Sequence, residues 1–131
     1  LIGIYMKDTI PKTLKNGRYI INLNSSGESG SHWVCMIKQT QSVYYFDPYG
    51  VYPVQNLVDL CLKRKLKLYY NMTQIQHVDS ILCGWFCIAF LHFMETAKGD
   101  MIEKCFDFDD LFNSNTKKND VILKKYINKI Y

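Results

Sequence analysis

From Cys83 to Thr96 the chain reads CGWFCIAFLHFMET, a run with apolar side chains on nearly every side. A helix of that kind has no face suited to water, so it must lie at the centre of a domain with other elements packed around it. With 131 residues, the chain is long enough to enclose one such core and too short for two, so a single domain over 1–131 is expected. Apolar residues make up 48% and aromatics 15% of the sequence, with 10 Tyr, a balance that excludes a disordered chain. No apolar run approaches the roughly 18 residues that make a membrane span, and the opening LIGIYMKDTI lacks the charged flank and cleavage site of a signal peptide. The expectation is a soluble protein. Five cysteines, an odd number at irregular spacing without a secretory signal, imply free thiols in a reducing compartment.

Around the central helix the pattern turns to strands. RYIINLN (18–24) is a short apolar run, followed by a Ser- and Gly-rich loop, SSGESGS (25–31). HWVCMIKQ (32–39) and SVYYFD (42–47) are β-branched and aromatic runs joined by a short polar turn, which predicts an antiparallel hairpin. PVQNLVDLCLKRK (53–65) carries Val54, Leu57, Val58, Cys61 and Leu62 at helical spacing, with cations at its end where the helix dipole favours them. LKLYYN (66–71) returns to strand character and 72–80 is a polar connection, in which Asp79 and Ser80 stand where caps for the central helix belong. NDVILKKYINKI (119–130) predicts a peripheral amphipathic helix, with its apolar side read from Val121, Ile122 and Ile127. The fold class that follows is α+β: a central buried helix against a mainly antiparallel sheet.

Several residues of this framework carry chemistry. A thiol on the first turn of a helix feels the positive end of the helix dipole, which favours thiolate; Cys83 is therefore either a nucleophile or, like most free cysteines, a small core residue. Gly84, directly after it, would let a bound backbone approach the helix end. His32 opens one strand of the expected hairpin and Asp47 closes the other, so the two side chains can meet despite their separation in sequence. Each also has a plain structural reading, His32 as a satisfied strand-end histidine and Asp47 as a turn residue. Gln76, in QHVDSILCGWFC, reads by itself as an exposed polar group of the loop. Trp33 is a core aromatic or the wall of a groove. Cys87 is expected in the core, and His92, five residues further on, turns away from it, so no metal site is expected. Cys35, Cys61 and Cys105 read as buried or incidental thiols, and His77 as a loop residue.

Taken together, SHW, FDPYG and QHVDSILCGWFC, in the order His, Asp, Gln, Cys, resemble the adenovirus-type cysteine endopeptidases (adenain). The likeness is stronger to the adenain-like proteases of Polinton or Maverick elements and virophages, which belong with the ubiquitin-like-protein proteases. It runs from about Gly3 to about residue 93 and leaves the C-terminal third unassigned. The resemblance implies a cysteine protease fold in which Cys83 is the nucleophile, His32 its base, Asp47 the residue that orients the imidazole and Gln76 the oxyanion-hole glutamine. Trp33 and Gly84 would border the substrate, and no cofactor is implied. Leu82 stands where cellular members usually have Asp, which favours the viral branch.

The implied activity is a cysteine endopeptidase that cleaves viral or transposon-encoded precursor proteins at Gly-containing sites during particle maturation. The implied location is the virion and the host nucleus or cytoplasm. Removal of ubiquitin or a ubiquitin-like modifier is the second enzymatic reading, and a catalytically silent peptide- or DNA-binding module is the rival from another class. Net charge is +4, concentrated at KRKLK (63–67) and at the Lys pairs beginning at 117 and 124, which leaves DNA contact open. Adenoviral enzymes take an activating peptide through a cysteine, and KRKLKLYY has none in that neighbourhood. Contact with a membrane is not expected.

Overall fold

The computed structural model describes residues 2–24 and 32–131; the Ser- and Gly-rich loop expected over 25–31 lies outside the described residues. The protein is α+β; the described residues form one five-stranded sheet, four α-helices and a short 3-10 turn at Thr116–Lys118. Strands β1 (Gly3–Met6), β2 (Gly17–Asn22), β3 (Trp33–Gln39), β4 (Ser42–Phe46) and β5 (Lys67–Tyr70) lie side by side in chain order. The centre of the sheet, β2–β3–β4, is antiparallel, and each edge is closed by a parallel strand, β1 on β2 and β5 on β4. The parallel edges are possible because the connections before β2 and β5 are long enough to cross over.

β3 is the middle strand and the most apolar. Its VCMI core, Val34 to Ile37, is buried on both faces, as a strand covered above and below must be. Alternation then sends Val34 and Met36 to one side and Cys35 and Ile37 to the other. On the first side they meet Tyr19, Ile21, Val43 and Tyr45 beneath α1 (Gln55–Lys63), whose Leu57 and Cys61 face inward. Leu62, which the helical spacing placed with them, is 72% exposed and points to solvent. On the second side lies α2 (Cys83–Thr96), buried through Phe86, Cys87, Ala89, Phe90, Leu91 and Met94.

α3 (Met101–Asp110) and α4 (Asn119–Ile130) cover α2 from outside. Phe108 of α3 sits edge-on to both Phe46 of β4 and Phe90 of α2, which are themselves stacked at 4.6 Å. Offset and edge-on pairs of this kind add about 0.5–1.5 kcal/mol each beyond burial, so the aromatic nest ties sheet and helices together. α4 turns inward through Asn119 and Leu123, while Val121 is 57% exposed. Of the apolar side expected, Ile127 packs against the core and Ile122 is half-buried, and only Val121 turns out to solvent.

Two expectations about the head of α2 change. Neither Asp79 nor Ser80 caps the helix; Leu82 occupies the N-cap position and makes no side-chain cap. Ser80 Oγ instead accepts the N–H of Leu82 at 3.2 Å, just ahead of the helix, and the N–H of Asp79 donates to His77 Nδ1. The helix N–H groups are left for other acceptors.

Candidate active site

His32 and Asp47 flank the hairpin ends, one residue before β3 and one after β4. His32 Nε2 donates to Asp47 Oδ1 at 2.7 Å, with Asp47 almost wholly buried. The same carboxylate oxygen accepts the N–H of Tyr49 at 2.8 Å, and the Gly50 N–H closes the turn onto Asp47 O at 2.8 Å. Gly50 is required here. Its φ is +71°, and a Cβ would stand 2.7 Å from the backbone of Thr73. The turn also brings the Tyr49 ring against the imidazole, with centroids 4.5 Å apart and planes 23° from parallel.

Asn71, just past β5, holds Asp47 from behind. Its Oδ1 accepts the Asp47 N–H at 2.9 Å and its Nδ2 donates to Asp47 O at 2.6 Å. Nothing local in the sequence marks this residue, because its partners are backbone groups 24 positions away. Pro48 O next accepts the N–H groups of both Ile75 and Gln76 at 2.9 Å. Gln76 is thereby fixed to the same turn that positions the carboxylate.

Cys83 faces this group from the first turn of α2. With Nε2 of His32 committed to Asp47, Nδ1 is the nitrogen left for sulfur. The thiol is buried, and the His32 imidazole and the backbone N–H groups of Trp33 and Gly84 favour its charged form. Burial disfavours the thiolate, but these hydrogen bonds and the imidazolium charge outweigh it and bring the Cys83 pKa below its usual value. Burial likewise opposes charge on His32, yet the bonds to Asp47 and Cys83 push its pKa up to about 9. Between those limits the pair is thiolate and imidazolium.

The neighbouring thiols differ. Burial pushes Cys61 and Cys87 upward and Cys105 to about 12. Cys87 is wholly buried, and its Sγ donates to Trp33 O at 3.4 Å. Trp33 therefore holds α2 through its backbone carbonyl at Cys87, while its N–H helps to lower the Cys83 pKa. His92 meets Tyr126 Oη at 2.8 Å, far from any arrangement with Cys87. Among the described residues no three potential ligands gather around a metal position.

Gln76 is fully buried; its Nε2 donates to Ser80 O at 2.9 Å, leaving a second N–H, and its Oε1 has no partner among the described residues. Gln74 is bonded to Gln76 O and does not share this position. Gly84 has no positive φ, and a Cβ there would meet only Trp33 at an ordinary 3.8 Å. Packing within the chain does not demand a glycine. Beside it, Leu82 and Trp85 open with Leu123 and Ile127 onto an apolar hollow of about 130 Å³, and Ile81 is 90% exposed. A cavity of about 330 Å³ between β4, β5 and α3 shares Asn71 with the site, and a wider one of about 400 Å³ between the β3–β4 turn and the head of α3 shares no residue with it, so the larger hollows and the chemistry do not coincide.

The arrangement can hold a nucleophilic sulfur, hand a proton to and from an imidazole, and keep that imidazole in one tautomer. No family model matches the sequence, and no curated protein matches it. Among solved structures the chain is similar to the ASFV pS273R protease, at 15% identity and a TM-score of 0.47. That match covers 70% of this chain and spans 42% of the other.

Proposed function

We propose that the chain is a cysteine endopeptidase of the adenain-like kind, with Cys83 as nucleophile, His32 as acid and base, Asp47 as the residue orienting His32, and Gln76 with the Cys83 N–H as oxyanion donors. The observation that carries the reading is the His32–Asp47 hydrogen bond beside a buried thiol whose pKa His32 lowers, with that sulfur at a helix N-terminus. In the first step the thiolate attacks the scissile carbonyl carbon, a sulfur–carbon bond forms, and the carbonyl π pair moves to oxygen. As the C–N bond breaks, the His32 imidazolium gives its proton to the departing amine, leaving a thioester. Water then adds to the acyl carbon while His32 takes its proton, and sulfur leaves as thiolate. The free amides of the first helical turn and the second N–H of Gln76 are suited to the transient oxyanion.

The substrates proposed are viral or transposon-encoded precursor proteins cut at Gly-containing sites. What favours glycine is the open approach at Gly84 beside Trp33, where a backbone without side chains fits closest. The competing substrate, a ubiquitin-like modifier with a Gly-Gly tail, would use the same approach. Wild type and Cys83→Ala, incubated with precursor proteins and with modifier conjugates, separate the two by mass spectrometry of new termini. Cleavage of precursors by wild type alone is expected, with Cys83→Ala slower by at least roughly a thousandfold. Equal cleavage by both proteins would end the proposal.

A further inference from the structure

The head of α4 grips both ends of the segment that carries Gln76. Asn119, wholly buried, donates from Nδ2 to Ile75 O at 2.7 Å and to Asn113 O at 2.9 Å, while its Oδ1 accepts the Asn113 N–H at 2.7 Å. Five residues further along that segment, Ser80 Oγ donates to Asp120 Oδ1 at 2.8 Å. Ser80 is also the residue whose carbonyl takes the Gln76 amide, and whose hydroxyl accepts the Leu82 N–H next to Cys83. Ile75 in turn precedes Gln76 directly, on the backbone pair bound to Pro48 O. Consecutive side chains of α4 therefore fix the two carbonyl-bearing residues between which the Gln76 side chain is stretched.

We infer that Asn119 and Asp120 are positioning residues for the oxyanion donor: they hold Gln76 in place without touching substrate. This rests on the proteolytic reading of Gln76 given above. His32 and Asp47 are held mainly by other bonds, to each other, to the Tyr49 N–H and to Asn71, and the two sets meet at Pro48 O and at Ser80 O, which the Tyr49 hydroxyl reaches at 3.5 Å; loosening the α4 grip should therefore spare the thiolate and impair chiefly the steps that build negative charge on oxygen.

Two reagents distinguish these effects. Iodoacetamide alkylates a thiolate by displacing iodide and builds no oxyanion. Acetylglycylglycinal adds Cys83 to its aldehyde carbon, placing charge on the oxygen that Gln76 would bind. In Asp120→Ala, affinity for the aldehyde and kcat for peptide cleavage are expected to fall about tenfold or more, the scale of a displaced catalytic donor, while the Cys83 alkylation rate stays within about twofold of wild type. Asp120→Asn, which keeps an acceptor for the Ser80 hydroxyl, should restore both. Asn119→Ala should behave alike where it folds. Unchanged aldehyde affinity in Asp120→Ala, or an equal fall in alkylation, overturns the inference. A wild type that neither cleaves peptide nor takes the aldehyde refutes the proteolytic reading instead; amide exchange at residues 75–82 then decides the grip, which fails if Asp120→Ala leaves that exchange unchanged.

Discussion

His32 binds its proton more tightly in the folded protein than an unfolded histidine does, because a buried carboxylate and a sulfur both face it. Its contribution to stability is therefore complete below about pH 6.5, the usual histidine value, and is lost as pH rises through about 9. Cys83 runs the other way, its thiolate being stabilised by the fold and lost as pH falls through its lowered pKa. Alkylation of Cys83 should thus persist at pH values where Cys61, Cys87 and Cys105 are silent, and kcat/KM should decline on the alkaline side near pH 9 as the imidazolium disappears. A Cys83 alkylation rate that rises only above pH 8.5, the usual thiol range, would contradict this pairing. These central residues were legible in the sequence because each sits in a short motif beside a turn or helix start. Asn71 and Asn119 were not, since an asparagine gains its role from backbone carbonyls 24 and 44 positions away.

At the scale of elements, helix α2 begins with a residue that the helix itself does not need. Alanine in place of glycine favours a helix by up to about 1 kcal/mol, and there is room for its methyl group beside Trp33. Gly84→Ala is expected to raise Tm while raising KM for Gly-containing peptides about tenfold or more, the loss that a single obstructing methyl can cause in a close-fitting site; an unchanged KM would show that substrate does not pass over Gly84. The strands and helices with long apolar runs could be read in advance, and α2 most clearly. α3 could not, because Phe108 is its one fully buried residue, although Asp100 accepting the Glu103 N–H is a cap signal visible in DMIE. β1 escaped for a different reason: four residues in parallel pairing with β2 are specified by the partner strand more than by their own pattern.

For the molecule as a whole, Asp109 lies in the cavity between α3 and the sheet, where burial and then Asp110 push its carboxyl up to about 6. A raised carboxyl favours the folded state only while protonated, so stability is lost as pH rises from about 3.8 through about 6. Asp109→Asn should stabilise the protein at neutral pH by about 1 kcal/mol after allowance for solvent screening, with the gain fading below pH 4 in thermal melts. A constant difference across that range would assign the effect to something other than charge. The grip of α4 on the 75–80 segment has one more consequence. During synthesis on the ribosome, Asn119 and Asp120 emerge after His32, Asp47 and Cys83, so on the proteolytic reading proposed above a nascent chain would carry its sulfur and imidazole before Gln76 is secured, and would gain its full rate only when that late helix docks.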